Sequence, residues 1–227
     1  SMNTSIRLSL EEDLKQAISK NLQLKSRILG FIFFGILFIQ IVGISMVYFF
    51  QDKMPLVLQQ LFDSGFLFYV PLIIFLFAIS EWAGFFYFKK ISSEKKTISW
   101  FAEYALAIIE SAFPTFVIVF IVKITEQQGN AVSAAFLDSP PALFYFFFII
   151  LSALQMNFRL CVLVGLSAAI QYFILCIYFS TSLNNPSEEE FLLFVFRMVR
   201  SLIFILGGVI AGLVSKKIKE SVLVSLK

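Results

Sequence analysis

The chain has 227 residues, 59% of them hydrophobic and 15% charged, with a formal net charge of +3 and a mean hydropathy of +0.88. Those values exclude a soluble domain and describe an integral membrane protein, in which short charged clusters separate apolar runs of about 20 residues, enough to cross a ~30 Å hydrocarbon core as helix. With no His, and with Cys161 and Cys176 on one apolar run, the composition also excludes His- or Cys-ligated metal centres and a Ser-His-Asp or Cys-His centre. The basic residues are spread over several loops, so nucleic-acid binding is not expected.

In chain order, Ser1-Met2 reads as a vector-derived pair ahead of the natural start. Residues 3–27 are expected to form an amphipathic cytoplasmic or interfacial helix. Ser9 and Glu12 have capping-box spacing, and Leu10, Leu14, Ile18 and Leu22 recur every fourth residue beside charged neighbours. Six transmembrane helices follow within 28–214, at about 28–50, 66–88, 101–122, 142–156, 158–180 and 191–214. The fourth is the shortest, and Ser139-Pro140-Pro141 gives it a helix start. Charge asymmetry supports six spans with both termini cytoplasmic. Of the 18 Lys and Arg, fourteen then fall inside, Lys53 and Lys123 outside, and Arg197 and Arg200 within span six. Five spans would place Lys216-Lys217-Ile218-Lys219 on the wrong side.

The outside loops are too short to fold an ectodomain, and the apolar patches Met54–Leu61 and Ala131–Leu137 are expected to lie in the outer headgroup region. At the other end, residues 215–227 continue the helical stripe through Ile218, Val222 and Leu226 with no Gly, Asn or Pro stop. A cytoplasmic helical stalk is expected there, in a chain that ends inside a helix. The fold class is therefore all-α and polytopic.

Charge within hydrocarbon is costly, on the order of 3 kcal/mol per residue on insertion scales, which singles out Glu81, Glu103, Glu110, Arg197 and Arg200. Glu103, Ala107, Glu110 and Pro114 share one helix face, as do Arg197, Arg200, Phe204 and Gly207. Counting helical rise brings Glu110 within reach of the Arg200 or Arg197 guanidinium, so these residues are expected to form one charge cluster. That cluster reads as a structural ion pair, as a ligand or ion site, or, chiefly for Glu103 near the inner boundary, as snorkelling. Pro114 cannot donate to the carbonyl of residue 110, which leaves an acceptor free beside Glu110 and makes a hinge. Gly208 and Gly212 form a GxxxG, with Gly207 beside it, for packing within the chain or for dimerisation. The 30 Phe read as lipid-facing and core-filling, with Trp82 and Trp100 partly as interface anchors. Any ligand, small or lipophilic, or any membrane partner must be met in the bundle, at its mouth or through lipid.

Several stretches resemble the six-span membrane anchor of bacterial class III adenylate cyclases. They are Glu110-Ser-Ala-Phe-Pro114-Thr115, Ser139-Pro140-Pro141 leading to Tyr145 and on to Ile150-Leu-Ser152-Ala153, and Phe158-Arg159-Leu-Cys161 with Gly165 and Ala168 to Tyr172. Arg197, Arg200-Ser201, Gly207-Gly208 and the exit Ser215-Lys216-Lys217 complete a resemblance over about residues 104–220. It implies a homodimeric anchor whose last helix runs into a cytoplasmic cyclase domain that makes cAMP from ATP. ATP and a divalent metal would belong to that domain, which this chain lacks, so no cofactor or catalytic residue is expected here. Two rival readings use the same residues: a small proton- or ion-coupled transporter or channel, and the membrane half of another receptor such as a kinase.

Overall fold

The computed structural model describes residues 2–49, 66–94, 96, 98–125, 136–138, 140–181 and 188–225. Among them there are helices, short turns and no strand. The helices are α1 (Met2–Phe49), α2 (Phe66–Ser93), α3 (Trp100–Thr125), α4 (Pro140–Ser152), α5 (Phe158–Thr181) and α6 (Glu188–Ser225). Two 3-10 turns, Phe136–Asp138 and Ala153–Gln155, precede and follow α4. All but α4 are long and apolar enough to cross a membrane, and the chain is a multi-pass membrane protein.

The first helix departs from expectation at both of its drawn boundaries. It runs unbroken through Ser9, so the capping-box spacing there marks no helix start, and it runs equally unbroken through residues 27 and 28. Its buried residues explain why. Ser19, Leu22, Lys25, Ser26, Leu29 and Phe33 follow one stripe at spacings of three and four, and the stripe faces the bundle on both sides of that hydropathy step. Asn21 Nδ2 donates to the Leu154 carbonyl at 3.3 Å and Ser19 Oγ to the Phe88 carbonyl at 3.4 Å. The segment from Ser19 to Arg27 is thus built into the bundle.

The helices pack as two long pairs, α1 along α2 and α5 along α6, with α3 and α4 between them. Two apolar cores result. One joins α1, α2 and α3 through Phe33, Phe77 and Phe113, whose ring centroids lie 4.7–4.8 Å apart at the Phe113 contacts. The other joins α3 to α6 around Tyr145, Tyr172 and Phe204, and also holds Leu137. Leu137, the last residue of the patch that begins at Ala131, is fully buried and packs into the bundle. The patch Met54–Leu61 lies outside the described residues.

Between α4 and α5 the chain reverses through Met156, whose φ of 53° is the left-handed turn conformation. Gly165 and Gly208 mark the closest approach of α5 and α6. A Cβ on Gly165 would meet the Gly208 Cα at 2.7 Å, and one on Gly208 the Cys161 carbonyl at 2.9 Å. Gly212 lies against the Phe158 ring, and Gly207 faces Ile149 of α4. The GxxxG face is therefore taken up by packing within one chain. Trp82 lies across Gly30 of α1, where a Cβ would come within 2.9 Å of its ring nitrogen, and so packs α2 on α1.

Candidate functional site

The five expected charged residues do not gather at one place. Glu110 is paired with Lys25, whose Nζ donates to Glu110 Oε2 at 2.5 Å. Both are buried, at 1% exposure for Lys25 and 5% for Glu110. The expected pairing of Glu110 with Arg200 or Arg197 is overturned: the arginines go to Asp138 at the far side of the second core. Estimating depth from helical rise misses this, because helix tilt and the rotation of α1 decide which cation faces α3.

At the Lys25 junction three helices meet. Glu81 of α2 is 1% exposed and lies within electrostatic range of both Lys25 and Glu110, beside the Ser26 hydroxyl. Glu110 Oε1 lacks a hydrogen-bond partner, and the Ser26 hydroxyl is the one neutral donor beside Glu81 among the described residues. Two carboxylates thus face one ammonium in a setting that penalises unpaired charge. Glu103, two turns back along α3, is half-buried and feels Lys25 and Lys219, with Asn157 beside it. Pro114, a turn beyond Glu110, lies inside α3 and supplies no N–H to the Glu110 carbonyl.

At the Asp138 junction a single carboxylate holds two guanidinium groups. Arg197 reaches Asp138 Oδ2 from Nη2 at 2.6 Å and from Nε at 3.1 Å. Arg200 Nη1 donates to Asp138 Oδ1 at 2.9 Å, to the Leu137 carbonyl at 3.2 Å and to the Tyr172 hydroxyl at 3.1 Å. The 3-10 turn Phe136–Asp138 is thereby tied to α5 and α6. Such charge-assisted contacts are stronger than neutral ones and fix geometry.

A hydrogen-bonded track lies between the two junctions, across the face where α3, α4 and α5 meet. Ser111 and Ser167 hydroxyls are 3.2 Å apart, Gln171 Nε2 donates to Ser167 Oγ at 2.8 Å, and Thr115 donates to Gln171 Oε1. The Tyr145 hydroxyl completes the track on Thr115 at 2.5 Å. Its ring stands 5.9 Å from that of Tyr172, the residue that receives Arg200. Pro114 sits between Ser111 and Thr115, so the proline-weakened turn of α3 is cross-linked to α5 on both sides of the missing hydrogen bond.

Several residues of the junctions and the track, Lys25, Asp138 and Gln171 among them, are not among those the sequence singles out. Lys25 was counted with the topogenic charges, although its place in the Ser19–Phe33 stripe marks an inward face. Asp138 sits in a loop, where nothing in the local pattern identifies a partner 59 residues away. Gln171 is one polar residue at helical spacing from Ser167, a signal too common to single it out. No family model, curated protein or solved structure matches the chain.

Proposed function

We propose that this chain is the membrane anchor and regulatory domain of a class III adenylate cyclase, relaying the state of the membrane-embedded bundle to a catalytic domain that follows α6. The observation that carries the reading is α6 itself. This one uninterrupted helix of 38 residues holds Arg197 and Arg200 near its start and Lys216, Lys217 and Lys219 near its end. From Arg200 to Ser225 it extends about 37 Å, so a displacement at the Asp138 junction is carried to the far end by a rigid element. The adenylate cyclase assignment rests on the sequence resemblance over residues 104–220.

In this reading the chain crosses the membrane six times, with both termini cytoplasmic, in the inner cell membrane. Supporting the sixth crossing, α4 and its 3-10 extension together rise about 25 Å, close to the ~30 Å core, and α4 is packed on α3, α5 and α6. The catalytic domain works as a homodimer and binds ATP and a divalent metal; this chain contributes no ligand to either. With the GxxxG face occupied within the chain, contact between copies falls to other faces, among them the exposed apolar row Leu202, Leu206, Ile210 and Leu213 on α6.

The test is cAMP production by the natural polypeptide carrying this chain, in native membranes, against its Arg200→Leu variant. Arg200 is partly exposed, so folding is expected to survive while the basal or stimulated rate changes several-fold. Absence of cyclase activity, or an unchanged rate in the variant, would sink the reading. The buried Lys25 junction favours one competitor, a proton- or cation-coupled carrier, and flux in proteoliposomes that disappears in Glu110→Gln would put that competitor first.

A further inference from the structure

The Lys25 junction contains more negative charge than it pairs. Lys25 of α1 satisfies Glu110 Oε2, leaving Glu110 Oε1 without a donor and the buried Glu81 carboxylate with no cation bonded to it, only the Ser26 hydroxyl beside it. A separate observation points to an occupant. Ser26 is 0% exposed, and its hydroxyl is turned to α2 beside Glu81, where a Cβ on Gly84, one turn from Glu81, would lie 3.3 Å from the oxygen. Two carboxylates and a hydroxyl from three helices therefore surround a single ammonium, with one positive charge too few.

Charge arithmetic limits what fills the deficit. Two carboxylates and one ammonium sum to a single negative charge, so a divalent ion would reverse the sign of the imbalance, while a monovalent species cancels it. A metal cation among these oxygens would also sit against the Lys25 ammonium, which lies 2.5 Å from the same Glu110 carboxylate. A proton avoids that repulsion. It also removes the excess charge, since a protonated Glu81 is a neutral acid with a hydrogen to donate and a carbonyl oxygen that can accept from the Ser26 hydroxyl beside it.

We propose that Lys25, Ser26, Glu81 and Glu110 form an intramembrane proton-binding site in which Glu81 holds an exchangeable proton taken from bulk water. The charged groups facing Glu81 are Lys25 from α1 and Glu110 from α3; Glu103 of α3 and Lys219 of α6 lie beyond Lys25 and set its field less directly. Loss of the proton leaves an uncompensated negative charge where α1, α2 and α3 meet, and loosens their packing. The site stands whether or not a cyclase follows α6, so its failure and that of the cyclase reading are separate results.

Infrared difference spectroscopy on the purified chain in lipid vesicles tests it, with pH stepped upward from neutral. The expected result is a carbonyl stretch of a protonated carboxylic acid at neutral pH that shifts in heavy water, declines as pH rises and is lost in Glu81→Gln. Glu81→Gln is expected to melt no lower than the parent, because the amide reproduces the neutral acid. Absence of the band at neutral pH, its survival in Glu81→Gln, or failure of that variant to fold would overturn the proposal. So would stabilisation by Na+ or K+ at fixed ionic strength that vanishes in Glu81→Gln, which would mean a metal cation in the site.

Discussion

Lys25→Met is expected to be among the most damaging single changes in the bundle, lowering stability by about 3–5 kcal/mol, the usual cost of stripping one partner from a buried ion pair. The ammonium it removes is the only cation bonded to Glu110 among the described residues, and Glu81 is close by. Adding Glu110→Gln deletes the orphaned charge, so the double variant should recover a coupling energy of about 1–3 kcal/mol. Lys20, five residues earlier on the same helix but exposed, serves as control, and Lys20→Met should change stability by less than about 0.5 kcal/mol. Reversible thermal unfolding in mild detergent, followed by far-ultraviolet circular dichroism, measures these three variants, the Glu110→Gln single that closes the cycle and the parent. If Lys25→Met behaved like Lys20→Met, Lys25 would be a solvated topogenic charge, and the integration of α1 into the bundle would be wrong.

The second large effect is expected at the crossing of α5 and α6. Gly208→Ala puts a methyl group 2.9 Å from both the Cys161 carbonyl and the Gly165 Cα, and these are backbone atoms that cannot rotate away. The helices must separate, and overpacking of this kind costs about 1–3 kcal/mol, more where it displaces backbone. Gly165→Ala should match it. Gly35→Ala and Gly43→Ala have nothing within 4 Å of the new methyl and should be neutral or gain up to about 1 kcal/mol from helix propensity. The same thermal measurement, combined with native mass spectrometry, separates packing within a chain from packing between chains. A Gly208→Ala variant that kept its stability but lost a dimer would assign this face to the partner.

The helices are legible in the sequence because the physics that forms them is local. A run of about 20 apolar residues must satisfy its backbone internally once in lipid, so α2, α3 and α5 fall within a few residues of where hydropathy places them. Boundaries set by tertiary packing are not local, and there the reading fails. Nothing in composition distinguishes Lys25 from the lysines around it; only its register with Leu22, Leu29 and Phe33 does, and hydropathy averages that register away. The buried charges themselves were identifiable as costly, yet their partners were not. Pairing depends on the rotation of each helix about its axis, and a turn of 100° per residue separates Glu110, facing α1, from Ser111, facing α5. Asp138 shows the same limit for a loop, since a three-residue 3-10 turn carries no periodic signal at all.

The central claim is that the Asp138 junction and the far end of α6 move as one element. Double electron–electron resonance between spin labels at Lys20→Cys on α1 and Glu220→Cys on α6 measures this directly, because both positions are exposed and the native Cys161 and Cys176 are buried from the label. In lipid vesicles, Asp138→Asn, which releases the grip on Arg197 and Arg200, should shift or broaden the distance distribution relative to the parent. Identical distributions in a folded Asp138→Asn variant would contradict the relay and leave the two junctions as independent packing devices.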